Sequence, residues 1–98
     1  MAAGDAYIKA PASTASGSYL DLQPAGSVEV VVHNIYVATG SAYEVYYSDA
    51  TNHILALSMP SGGAAMNLQM HCSNSYFVKV KNTSGSTIYM SADGMTTK

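Results

Sequence analysis

The segment Val28-Glu29-Val30-Val31-Val32-His33-Asn34-Ile35-Tyr36-Val37 constrains the fold of this chain more than any other part of it. Six of its ten residues are β-branched, and such side chains are stiff in a helix but pack well on a pleated strand. The alternation also slips. Val28, Val30 and Val32 share one face, whereas Ile35 and Val37 fall on the other parity. A one-residue slip of this kind would turn half a strand inside out, and a β-bulge near His33-Asn34 is predicted to absorb it.

The rest of the chain breaks into further strand-like pieces. Tyr7-Ile8-Lys9 reads as a short strand or arm, and residues 10–18, small and polar and opened by Pro11, read as an irregular connector. Tyr19-Leu20-Asp21-Leu22 is a short extended piece stopped by Pro24-Ala25-Gly26. Tyr43-Glu44-Val45-Tyr46-Tyr47 and His53 to Met59 flank a loop of five residues, Ser48 to Asn52, as a hairpin. Ala64 to His71 alternates, with Met66, Leu68 and Met70 predicted inward. Ser75 to Lys81 alternates with Tyr76, Val78 and Val80 inward. Asn82-Thr83-Ser84-Gly85 reads as another hairpin turn leading to Ser86 to Met90, and the tail as room for a last short strand.

No segment shows apolar spacing of i, i+3, i+4, i+7 between helix caps. The expectation is therefore an all-β chain with little or no helix: about six to eight strands in an antiparallel β-sandwich or jelly-roll-like fold. At 98 residues it is one domain, divided into residues 1–27, an extended N-terminal arm with short strands, and residues 28–98, the β-sandwich.

Composition narrows the function. Charged residues make up 10% of the chain, against roughly 25% in an ordinary soluble domain. With so few charges the barrier to self-association is weak. The four basic residues are all lysines, Lys9, Lys79, Lys81 and Lys98, so the guanidinium fork that grips phosphate is missing. With a net charge of -2 and no basic stripe, nucleic acid is not expected as a partner. No basic segment followed by an apolar run opens the chain, so no signal peptide is read, and no apolar stretch approaches the ~20 residues that span a bilayer.

The reactive side chains of the sequence form no recognisable catalytic or metal-binding pattern. His71 and Cys72 are adjacent on a predicted strand and point to opposite faces, and His33 and His53 complete no zinc spacing. Glu29 and Glu44 are expected on outward positions of neighbouring strands, as solvated surface. No Ser sits in a Gly-x-Ser-x-Gly elbow and no phosphate loop is present. Asn82-Thr83-Ser84 matches a glycosylation sequon but reads as turn chemistry, with Asn82 supplying positive φ. No catalytic, metal or cofactor site is expected.

The tyrosines give the most specific site hypothesis. Tyr43 and Tyr47 share one face of their strand and Tyr46 the other, while Tyr36 and Tyr89 belong to strands that can neighbour it. Tyr rings serve as core, as protein interface or as platforms for sugar rings. The candidate interface set is Tyr7, Ile8, Tyr19, Tyr36, Tyr43, Tyr46, Tyr47 and Tyr89.

From Val28 onward the chain carries Val32-His33-Asn34-Ile35-Tyr36 before a small-residue turn, then Tyr43-Glu44-Val45-Tyr46-Tyr47 and an Asp-Asn loop. Pro60-Ser61-Gly62-Gly63, the run from Val78 to Gly85, and Asp93-Gly94 near a Thr-Thr-Lys end continue the pattern. In these turns and strands it resembles small virion proteins of tailed bacteriophages, of the capsid-decoration and head-associated kind. The resemblance implies a protein made in the host cytoplasm that ends in the virion. It would be a β-sandwich docked on major capsid protein or another virion protein, often as a trimer, with the N-terminal segment as an arm or clasp. The alternative from a different class is a carbohydrate- or receptor-binding sandwich that uses exposed Tyr and Asn side chains, as in a head or tail fibre.

Overall fold

Strands alternate with short turns from end to end of the computed structural model, which describes residues 3–49 and 51–98. The strands are β1 (Ala6–Thr14), β2 (Tyr19–Leu22), β3 (Val30–Val37), β4 (Tyr43–Ser48), β5 (His53–Met59), β6 (Met70–Cys72), β7 (Phe77–Asn82) and β8 (Ile88–Thr96). No helix occurs among the described residues. Two antiparallel sheets of four strands pack face to face: sheet I in the order β1-β8-β3-β6 and sheet II in the order β2-β7-β4-β5. Only β4 and β5 are consecutive strands of one sheet, so every other connection crosses between sheets. First strand beside last and second beside seventh is the doubly wrapped order of an eight-stranded jelly roll.

The predicted bulge is present. β3 pairs with β8 as Val32↔Gly94 and then Asn34↔Asp93, leaving His33 as the extra residue. As a result Val30, Val32 and Ile35 are all buried. Gly94 makes room for the bulge, since a Cβ there would overlap the Val31 carbonyl and stand 2.9 Å from Val32 Cα. Val30, Val32, Ile35, Met90 and Ala92 of sheet I share one core with Leu20, Leu22, Val45, Val78 and Val80 of sheet II.

Several local expectations are corrected. The connector expected over residues 10–18 is strand as far as Thr14. Ala10 and Pro11 form a bulge opposite Ser91, and an edge strand tolerates Pro because nothing needs its missing N–H. Residues 3–27 thus supply an edge strand to each sheet, with Tyr7, Leu20 and Leu22 in the core. The alternating strand expected over 64–71 shrinks to Met70–Cys72. Val32 pairs with Met70 but Ile35 bridges Ala65, so surplus residues loop out around Asn67, whose φ is 60°. Met66 is exposed, not inward, and so is Tyr76, which lies in the turn before β7. The tail is not a separate strand but the second half of β8.

The turn at 82–85 is not a hairpin either, because β7 and β8 lie in different sheets. Its positive-φ residue is Gly85, at 85°, and not Asn82. Asn82 is wholly buried on β7, and its amide clamps two crossings at once. Nδ2 donates to Thr14 O (2.8 Å) and Ser86 O (2.7 Å), while Oδ1 accepts from the N–H and hydroxyl of Ser84. An amide so enclosed is closed to a glycan.

Two stability outcomes follow. Asn82→Ala strands buried carbonyls and is expected to cost about 2–4 kcal/mol in chemical denaturation. Gly94→Ala is expected to cost about 3 kcal/mol, whereas Gly26→Ala, with open space around its Cβ, stays within about 0.5 kcal/mol.

Candidate functional site

Strand parity divides the candidate interface set. Tyr7 and Tyr43 stand on inward rows, opposite Gly94 and Asn82, and belong to the core. They are therefore removed from the interface set. Burial of a phenol needs a partner for its hydroxyl, and Tyr43 donates to the Gly63 carbonyl. Tyr47 is also on an inward row and half-buried, donating to His71 O at 2.9 Å. Ile8, Tyr36 and Tyr89 face outward on sheet I, whereas Tyr19 and Tyr46 face outward on sheet II. Tyr36 and Tyr89 thus lie on neighbouring strands of sheet I, not beside Tyr46 as expected. Likewise Glu29, which precedes β3, and Glu44 on β4 are not on neighbouring strands.

The outer face of sheet I gathers the larger apolar surface. Across β1, β8, β3 and β6 one row reads Ala6, Met95, Val31, His71; the next reads Ile8, Asp93, Asn34. Tyr36 pairs with Ser91, and Tyr89 pairs with Ser13. Ile8 is 72% exposed, Tyr89 65%, Met95 45% and Tyr36 37%. At the centre, Asp93 Oδ1 accepts from Asn34 Nδ2 at 2.7 Å and Oδ2 from the Tyr36 hydroxyl at 2.8 Å. Asn34 Oδ1 also accepts the Asn67 N–H at 3.2 Å, tying the excursion before β6 to this face. Both oxygens of Asp93 are thus engaged in orienting neighbours.

The outer face of sheet II is polar and closed on itself around Tyr19, with Leu55 exposed at its β5 edge. Lys79 Nζ lies 4.8 Å from the centre of the Tyr19 ring and 3.5 Å from Asp21 Oδ1. Tyr46 meets Tyr19 edge to face at 6.1 Å and donates to Glu44 Oε1 at 2.6 Å. His53 packs against the Tyr19 ring at 5.8 Å. Each ring here already has its partners, unlike an open platform for a sugar ring.

Chemically reactive arrangements resolve into structural contacts. His53 Nδ1 lies 2.8 Å from Ser48 Oγ, a pairing that sequence spacing did not bring out. Ser48 is buried, however, and the hydrogen bonds of nearby Asp49 run to Thr51 and Asn52. Burial pushes the Cys72 thiol up to about 11, so it stays protonated and a poor nucleophile near neutrality. His71 and Cys72 point to opposite faces as expected, the first exposed and the second buried. No group of three metal-ligating side chains occurs among the described residues. A hollow of about 320 Å³ beside the bulge is lined by His33 and by Asn34, Asn67, Leu68 and Gln69. It brings no second titratable group to His33.

Residues that the sequence reading missed are Met95, Val31, Asn34 and Asp93. Their signal was the outward parity of Tyr89, Ser91, Asp93 and Met95, legible once the tail is read as one strand with Ile88 and Met90.

The phenols also set an alkaline limit. Hydrogen bonding to Glu44 foremost raises Tyr46 to about 12; the bond to Asp93 foremost raises Tyr36; burial raises Tyr7, Tyr43 and Tyr47. Each raised value means that the fold favours the neutral phenol more than the unfolded chain does. Their contribution is complete below the ordinary value of 10.0 and is lost as pH climbs through the folded-state values. The thermal midpoint is therefore expected to fall between pH 10 and about 12, and Tyr46→Phe to make that fall shallower.

Comparison with known proteins finds no family model that matches this chain and no curated protein that matches it.

Proposed function

We propose that this chain is a non-enzymatic structural protein of a tailed-phage virion, which decorates and cements the capsid by laying the outer face of sheet I on major capsid protein. The observation that carries this reading is the exposed Ile8, Tyr36, Tyr89 and Met95 on one sheet face. Exposed apolar side chains gathered on one sheet face mark a place where another macromolecule sits. The low charge fraction and the resemblance of the turns and strands from Val28 onward support it. Jelly rolls serve in viral shells, lectins and cupins alike, so the architecture is compatible with the reading without selecting it. On this reading the protein acts in the virion, where its copies sit on the shell as a trimer, and it needs no cofactor.

A sugar-binding role has less support, because the Tyr19 ring is covered by Lys79 and closed by Tyr46. Purified protein is expected to sediment with phage particles and to be present in the particles themselves. Ile8→Lys and Met95→Lys, both exposed, are expected to keep stability within about 0.5 kcal/mol yet release the protein from particles. Absence from particles, undiminished binding by the double variant, or glycan-array hits lost with Tyr19→Ala would sink the proposal.

A further inference from the structure

The exposed apolar side chains of β5 and of the turn before β7 lie away from the face assigned to capsid docking, and Met66 lies on the excursion tied to its edge. Ile54 (68% exposed) and Leu55 (51%) are on β5, Tyr76 (56%) is in the turn before β7, and Met66 (57%) is on the excursion before β6. All four belong to the stretch between Asp49 and Lys79, which contains no Asp, Glu, Lys or Arg. β5 is also an edge of sheet II, so one side of its backbone has no strand beside it.

Edge strands of self-contained β proteins are guarded by shortness, charge, proline, bulges or inward-pointing charges. Three edges of this fold conform. β1 carries Pro11, its bulge and Lys9 on an inward row opposite Ala92; β2 has four residues and β6 three. β5 runs for seven residues with no charge and no proline, and its one guard is the bulge at Ala56. Leu57 and Met59 of its inward row pack against the core, but Ile54, beside the inward Tyr47, stays exposed.

We infer that β5 is a self-association edge, through which two copies of this chain pair antiparallel about a two-fold axis. A two-fold contact sets the same patch against itself, so the patch must complement itself. A strand without formal charge does so with no like-charge repulsion, and its free N–H and C=O groups are matched by those of an identical antiparallel strand. Ala56 selects the register. It reverses side-chain parity, so pairing that keeps inward rows together cannot run across it. Centred on Ile54, the pairing sets Ile54 against Ile54 of the second copy, and His53 against Leu55, both outward. Ile54 also lines a groove of about 210 Å³ at the same edge with Tyr47, Ser48, Asp49, Asn52 and Tyr76, where the Asp49 carboxylate is held within its own loop by Thr51 and Asn52. The contact buries Ile54 and Leu55 and leaves the outer face of sheet I free.

Light scattering after size exclusion, over a wide dilution series, is expected to show a monomer–dimer equilibrium. Ile54→Lys raises its dissociation constant about tenfold or more, with circular dichroism and thermal midpoint unchanged. Cα atoms opposed in an antiparallel pair stand about 4.5–5.5 Å apart, within disulfide range. Ile54→Cys is therefore expected to cross-link into dimers on mild oxidation, while exposed Thr97→Cys does not; native Cys72 is buried. A wild-type monomer at every concentration overturns the inference, as does a dimer that Met95→Lys dissolves and Ile54→Lys leaves intact. Particle binding by Ile54→Lys separates the two proposals, because retained binding with a lost dimer supports both and lost binding with a retained dimer counts against the edge contact.

Discussion

The close approach of β3 to β8 at His33 and Gly94 is the contact on which the rest of the fold depends. Without the extra residue, Ile35 and Val37 would face solvent and expose apolar surface that the thin core of a small domain cannot spare. Without a residue lacking Cβ on the facing strand, the bulged backbone could not close on it. The two conditions stand 61 positions apart in the chain (94 − 33), and each is intelligible only through the other.

The wrapped topology spreads that dependence. β1 pairs with β8 and β2 with β7, so the ends of the chain close over its middle in both sheets. Most contacts are therefore long-range, and β-pairing of that kind is slow to assemble. Asn82 relieves one consequence. Crossings between sheets leave backbone carbonyls turned inward, and a single amide with two donors and an accepting oxygen satisfies Thr14, Ser86 and Ser84 together.

Period-two patterning made much of the fold legible before the structure. β3 with its bulge, the β4–β5 hairpin and the inward Val78 and Val80 follow from side-chain alternation alone. Alternation is silent about which sheet a strand joins, so the crossing at 82–85 looked like a hairpin. It also misled at 64–71, where Met66, Leu68 and Met70 alternate cleanly, but β3 has too few partner positions and Asn67 turns left-handed. For the interface set, parity separated Tyr46 from Tyr43 and Tyr47. Depth was a different matter. Whether an inward Tyr is core depends on what covers it, which is Asn82 and Gly63 for Tyr43 and no sequence neighbour at all.

The outer face of sheet I combines apolar exposure with a carboxylate at its centre, which at first sight opposes burial. A free carboxylate taken out of water costs several kcal/mol. Asp93 is in a different position, because both its oxygens already accept hydrogen bonds from Asn34 and Tyr36. A partner that covers the face need supply few of the bonds that water would otherwise provide, so the desolvation cost falls while the apolar gain from Ile8, Met95 and Tyr89 remains. The same network fixes the Tyr36 ring in one orientation before any partner arrives, which lowers the ordering entropy of association. If the face docks as proposed, an apolar surface aligned with Ile8 and Met95 would gain from the contact, and one that places an acidic group over Asp93 would meet like-charge repulsion.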